Sequence, residues 1–288
     1  MSAIIAPVPA SRRRTDRIMR GVLLIGTLIA LVPLVLILYY LLKQGLGAIS
    51  WDFFTTDPTG RFLGPPGGVK SAILGTILIV GLASLIAVPC GIGVALFLVE
   101  YGKKSVFSQF VRYFVDVMTG VPSIVFGLFI YIVLVLTGIG GNFTAWKGSV
   151  ALALLMLPVV TRASEVVLNL VPNSLREAAL ALGAPRWKVV FRVVLPTALP
   201  GLVTGSMLAI ARGAGETAPL LYTAFAVDAT SWNLGAQMNS LPIQIFNDVR
   251  QAQSNIVQRA WGAALTLVAM VLILTVVARL FQRRSRLS

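Results

Sequence analysis

Residues 210–221 read Ile-Ala-Arg-Gly-Ala-Gly-Glu-Thr-Ala-Pro-Leu-Leu and lie within a long apolar run. They place Arg212 and Glu216 four residues apart, a spacing that puts both on one helix face. A charge at the centre of a bilayer costs at least about 2.5–3.5 kcal/mol, and intramembrane ionisable residues mark ion or substrate paths. A self-neutralising pair that only helps the helix insert is the plainer alternative. Its order, basic residue first, is the weaker one for such pairs. The residues alone therefore support a paired charge facing something polar.

Other chemistry is excluded. The chain has no histidine and a single cysteine, Cys90, inside an apolar segment where a thiol is expected to be buried and inert. Its carboxylates are not clustered, so a transition-metal site is not expected. No G-x-x-x-x-G-K-[ST] loop is present to cradle ATP, so no cofactor is expected in this chain. Gly213–Ala218 matches a G-x-G-x-x-A fingerprint, but that fingerprint needs a preceding strand and a βαβ unit, and here an apolar helix precedes it. Gly201, Gly205, Ala209 and Gly213 instead recur every four residues, a stripe of small side chains that lets another helix approach closely. Thr217 and Pro219 loosen the chain beyond it, where freed backbone groups can face a cavity.

The elements that must hold these residues are membrane helices. The 288 residues are 57% hydrophobic and 12% charged, against about 25% charged in soluble domains. Six runs reach the length of about 20 residues that crosses a bilayer: 21–42, 69–99, 110–137, 148–170, 200–225 and 260–281. An all-α polytopic membrane protein with six transmembrane helices is expected. The first run is too long for a cleaved signal peptide. The net charge of +14 reflects basic residues flanking spans, with no soluble basic domain, so nucleic acid is not an expected partner. Arg12, Arg13, Arg14, Arg17, Arg20, Lys103, Lys104, Arg112, Arg176, Arg186, Lys188, Arg192, Arg279, Arg283, Arg284 and Arg286 fall on one side. Lys43, Arg61, Lys70, Lys147, Arg250 and Arg259 fall on the other. That bias puts both termini in the cytoplasm. The organisation expected is 1–68 (cytoplasmic N-terminus, first helix and outer loop), 69–281 (a five-helix core) and 282–288 (a basic tail). The outer loop 50–68 reads as a structured interfacial turn, and the long polar loop 227–259 faces the side where an external partner would dock.

The inner loop 172–196 carries a second pattern. Glu177 to Leu182 favours helix, Gly183 is a natural helix stop, and Pro185 suits the first turn of another helix. Trp187, Val190, Phe191 and Val194 then recur at helical spacing. The apolar face of this helix–turn–helix fits either lipid or a protein groove. Its fixed positions are more specific: Glu177-Ala178-Ala179, three residues, Gly183, nine residues, Val193, one residue, Leu195-Pro196. This closely resembles the EAA motif of ABC importer permeases, with Val193 in place of the usual isoleucine.

Together with this loop, "ARGAGETAPLL" and "TGVPSIVFGLF" at 119–129 resemble the phosphate ABC-importer permeases, in particular their PstA-type subunits, over nearly all of 69–281. The resemblance implies a type I ABC importer permease fold, multi-pass in a bacterial cytoplasmic (inner) membrane, with no enzymatic activity of its own. It implies a PstC-like second permease, two ATPase subunits that carry ATP and magnesium, and an extracytoplasmic phosphate-binding protein. It assigns Glu177, Ala178, Ala179, Gly183, Leu195 and Pro196 to ATPase coupling. Arg212, Glu216 and Arg162 are assigned to the phosphate path, although Arg162 near the cytoplasmic end also fits a solvated role; Thr217 joins them by its position alone, as a candidate hydroxyl donor. An arginine fork suits phosphate oxygens, and Glu216 would neutralise Arg212 in an empty path and keep cargo from binding too tightly to leave. Thr119 and Ser123 are further candidate hydroxyl donors. The alternatives are another oxyanion as cargo (sulfate, molybdate or phosphonate), an ion-driven secondary transporter using Arg212 and Glu216 as a relay, and a non-transporting scaffold.

Overall fold

The computed structural model describes residues 10–59, 65–102 and 105–284. Arg61, Lys103, Lys104 and Arg286, which entered the charge count, lie outside them. Among the described residues the regular structure is helical, apart from an isolated bridge between Pro58 and Gly67. Five helices are long and apolar enough to cross a bilayer, and a bent pair brings the spans to six.

Helix α1 (Ala10–Gly45) carries its charges before Gly21 and at Lys43, is apolar on all sides from Gly21 to Leu42, and packs chiefly on α12 (Ser254–Arg284) and its own end. Such a helix is stable only where its surroundings are hydrocarbon or another apolar chain. A short α2 (Trp51–Thr55), N-capped by Ser50 on the Phe53 amide, seats the turn before α3 (Lys70–Leu96). Cys90 lies exposed on α3 rather than buried, so its inertness would have to come from its apolar surroundings and not from packing.

The third span is not the straight helix expected over 110–137. It is α4 (Val106–Gly120) and α5 (Ser123–Ile130, continued by a π-helical stretch Tyr131–Val135), bent by 103°. Pro122 is the cause. It forces Val121 into extended backbone (φ −73°, ψ 129°) and cannot donate to the preceding turn.

The fourth span is α6 (Ala145–Asn169). Beyond it, α7 (Asn173–Ala181) and α8 (Arg186–Val189) form the helix–turn–helix of the loop. The fifth span differs from its expected limits of 200–225. From Arg186 the chain runs without a break through a π-helical stretch, Val190–Val194, into α9 (Leu195–Ala214), making one span of Arg186–Ala214. Pro196 sits inside this continuous helix, directly after the π-helical stretch, where the irregular turn absorbs its missing N–H. The span ends early because Pro219 lacks an N–H and would collide with the carbonyl of Gly215. After a three-residue interruption the short α10 (Ala218–Leu221) resumes, followed by irregular chain and α11 (Leu241–Asp248).

The core is the contact of α3, α6 and α9. Ile79, Ala83 and Ala87 of α3 meet Leu152, Met156 and Val160 of α6, with Ala209 and Ile210 of α9 behind them. The small-residue stripe of α9 works as its spacing suggests. A Cβ on Gly201, Gly205 or Gly213 would lie 2.5–2.7 Å from side chains of Val167, Ala163 and Met156 on α6. At one end of α6, the carbonyls of Thr223, Ala236 and Leu234 accept its first free amides, from Thr144, Ala145 and Trp146. The fully buried Lys147 there gives its ammonium to the carbonyls of Leu134, Gly141 and Asn142 at 2.5–3.0 Å. It is a fastener of the 134–142 turn rather than a solvated loop charge.

Candidate functional site

The depth of Arg212 follows from packing. Its neighbour Gly213 sits on Met156 of α6. At 1.5 Å per residue Met156 is about 16 Å from one end of α6 and about 20 Å from the other. The interruption after Ala214 thus lies near the middle of the spans. Arg212 occupies the last turn of α9, where a cation complements the helix dipole.

Arg212 Nε stands 3.8 Å from Glu216 Oε1, and the two side chains are 53% and 17% exposed. The distance is an ion pair without a hydrogen bond. A contact this long, on an arginine this open, contributes about 1 kcal/mol or less. The guanidinium is held loosely, and its fork remains open to a ligand. Thr217, half-buried, lies in the interruption itself. Its carbonyl accepts from the amides of Leu220 and Leu221.

The motif at 119–129 comes to the same place. A Cβ on Gly127 of α5 would lie 2.6 Å from the Pro219 Cα, so α10 packs directly against α5. Tyr131 and Tyr222 continue that contact edge to face at 6.3 Å. Ser123 begins α5, whereas the Thr119 hydroxyl is turned back onto the Asp116 carbonyl at 2.6 Å. The sequence segments around Arg212 and around Pro122 are therefore neighbours in the fold.

Arg162 is placed differently. Its Nη1 donates to Glu165 Oε2 at 2.6 Å, and its Nη2 bonds Asp116 Oδ1 and the Arg112 carbonyl. Arg112 in turn donates from Nε to Glu165 Oε1 at 2.8 Å and from Nη2 to the Leu98 carbonyl at 3.2 Å. This four-residue network ties α4 to α6 and to the end of α3. Arg162 shares no ion pair with Arg212 or Glu216. The sequence signal for this network is the Arg162–Glu165 spacing, which places both on one helix face.

The loop at 172–196 has the geometry its glycine implied. Gly183 adopts φ +79°. The Ala184 amide bonds the Ala179 carbonyl at 3.2 Å and the Gly183 amide bonds the Leu180 carbonyl at 2.9 Å, the two bonds of a Schellman turn. Ala179 and Ala184 pack inward on Val99, Leu168, Val171 and Val189. Glu177 and Ala178 face out, Leu182 is 89% exposed, and Trp187 and Phe191 project beside it. A hydrophobic knob of this kind on a structured loop needs an apolar cover. Leu195 is half-buried and Pro196 exposed at the start of α9.

A buried network at the opposite end was not visible in the sequence. Arg259 holds Asp248 through two bonds of 2.7 Å and reaches the Pro66 carbonyl; Gln244 bridges Asp248 to Asn239. Asn239, Asp248 and Arg259 belong to the long polar stretch 227–259, yet they are buried because α11 packs against α12 and α3, where the Asn239 carbonyl fits over Gly75.

Residues 87–287 match the family model described as binding-protein-dependent transport system inner membrane component. The chain is 38% identical to the phosphate transport system permease protein PstA of Haemophilus influenzae, covering 94% of each chain. It is also 38% identical to PstA 1 of Mycobacterium tuberculosis, covering 99% of this chain and 94% of that one. Among solved structures, a chain of a bacterial alginate ABC transporter aligns with a TM-score of 0.66 at 17% identity, over 95% of this chain and 96% of that one. A chain of the inward-facing MetNI methionine ABC transporter aligns with a TM-score of 0.56 at 22% identity, over 76% and 94%.

Proposed function

The chain belongs to the family of binding-protein-dependent transport system inner membrane components, and from that premise we propose that it is a membrane-spanning permease subunit of an ATP-driven importer of inorganic phosphate. It does no covalent chemistry. A loaded external binding protein docks at the α11 end. A second, PstC-like permease completes the path. Two ATPase subunits bind at the α7 end, and one of them covers Leu182 and Trp187. ATP and magnesium belong to those subunits. The α7 end and both termini lie in the cytoplasm, in keeping with the lysine and arginine bias.

One observation carries this reading: a half-open arginine with its own counter-charge, at mid-depth, where a spanning helix breaks. Irregular backbone at that depth is tolerated where it lines a polar cavity or is covered by protein. Phosphate carries between one and two negative charges at neutral pH. Arg212 offers it planar donors, and Glu216 limits how tightly it is held. The Arg186–Ala214 span (29 residues), about 43 Å long at 1.5 Å per residue, joins the loop under the ATPase to Arg212 in one helix. Displacement at Trp187 is thereby felt at the charge pair. Arg162 we assign to bracing α4 on α6, at the inner end of the same path. The high identity to relatives named for phosphate favours that oxyanion over sulfate, molybdate or phosphonate.

Uptake of radiolabelled phosphate by cells carrying this chain with its partner subunits tests the reading. Uptake should stop on ATP depletion, survive brief uncoupler treatment with ATP maintained, and resist a hundredfold excess of sulfate. Uptake driven by the ion gradient alone, or equal competition by sulfate, would refute it.

A further inference from the structure

Arg176 precedes the Glu177-Ala178-Ala179 segment and reads as one more inner-loop charge. In the fold it is buried and its partner Glu100 nearly so, each side chain being 10% exposed. Every N–H donor of the guanidinium is used. Nε and Nη2 donate to Glu100 Oε1 at 3.0 and 2.8 Å. Nη2 also donates to the Leu168 carbonyl at 2.9 Å, and Nη1 donates to the Val171 carbonyl at 2.5 Å and to Asn173 Oδ1 at 3.2 Å. These partners come from four places: the end of the α3 span, the last turn of α6, the link after it, and the start of α7. Glu100 is in reach because the chain after α3 rewinds into the π-helical stretch Phe97–Tyr101.

Without this pair, α7 would rest on the span ends mainly through the apolar contacts of Ala179 and Ala184, which permit sliding. A fork with five directional bonds does not. Lysine, a point charge on a flexible stem, cannot replace it. We propose that Glu100–Arg176 is a strut that makes α7 and the inner ends of α3 and α6 one rigid body, so that ATPase-driven displacement of the loop reaches two spans besides α9. Arg176 is a positioning residue here; it acts through the loop and touches neither phosphate nor nucleotide. The inference rests on the importer reading above.

The test uses the full complex reconstituted in proteoliposomes, with phosphate moved per ATP hydrolysed as the readout. A merely structural role would lower transport and hydrolysis together. The strut instead requires Glu100→Gln to keep binding-protein-stimulated hydrolysis within about twofold while phosphate per ATP falls at least tenfold. An unchanged ratio in Glu100→Gln overturns the strut. A native complex with no ATP-driven uptake overturns the importer reading itself. If Glu100→Gln does not assemble, spin labels decide on the native pair, placed at Ser174→Cys and Tyr101→Cys in a Cys90→Ala background. The expected result is one narrow distance distribution, identical in nucleotide-free and ATP-bound complexes. A distance that changes between those states overturns the proposal.

Discussion

Arg212 and Arg259 are both arginines in apolar surroundings, and their settings give them opposite roles. Arg259 is fully committed: both Asp248 oxygens face it at 2.7 Å, and both side chains are buried. Removing one partner strands the other. Asp248→Asn should therefore cost about 3–5 kcal/mol, measured as loss of thermal stability of the purified permease, with little effect on transport by the fraction that remains folded. Arg212 is loosely paired and half open, so its removal should cost little stability and all of the transport. Sequence spacing located Arg212 and Glu216. It could not locate Arg259 with Asp248, or Arg176 with Glu100, because those partners are eleven and seventy-six residues apart. Only the folding of α11 onto α12, and of α7 onto the span ends, brings them together.

At the scale of elements, close packing depends on particular glycines, and the neighbours decide how much each one matters. A Cβ on Gly75 would fall 1.9 Å from the Asn239 backbone oxygen, which has no freedom to move. A Cβ on Gly213 would meet the Met156 side chain at 2.7 Å, and methionine can rotate away. Gly75→Ala should thus prevent stable folding, whereas Gly213→Ala should lower the unfolding temperature only modestly. Thermal melts of the two variants side by side check this. Gly183 differs again. Nothing lies within 4 Å of a Cβ there, but φ is +79°, which costs a non-glycine residue about 1–2 kcal/mol. Gly183→Asp should leave the spans folded yet lose the ATPase in a pull-down. Retained ATPase with normal transport would remove the loop from the coupling role.

For the whole molecule, the spans and their apolar nature were legible, because hydropathy reports the solvent directly. Their shapes were less so. Pro122 bends a segment that reads as continuous, whereas Pro196 and Pro200 leave intact a helix that reads as broken. A proline's effect depends on its place in the turn, and composition does not reveal that place. The stripe of small residues is legible in the sequence because its period matches the helix that presents it. The depth of the break after Ala214 needed the α6–α9 register, a tertiary quantity. That depth turns two charges in an apolar run into a pair at the middle of the spans, on the same helix as α8, which we propose faces the ATPase.

The most direct measurement is phosphate uptake into proteoliposomes by the assembled complex carrying Arg212→Gln, with ATP hydrolysis and subunit composition followed in the same preparation. Glutamine keeps polar donors but removes the charge, so phosphate loses its counter-ion at mid-depth. The expected result is an intact complex that still binds and hydrolyses ATP while uptake falls at least a hundredfold. Uptake within a fewfold of the native rate, from a complex of normal composition, would contradict the assignment of Arg212 to the phosphate path.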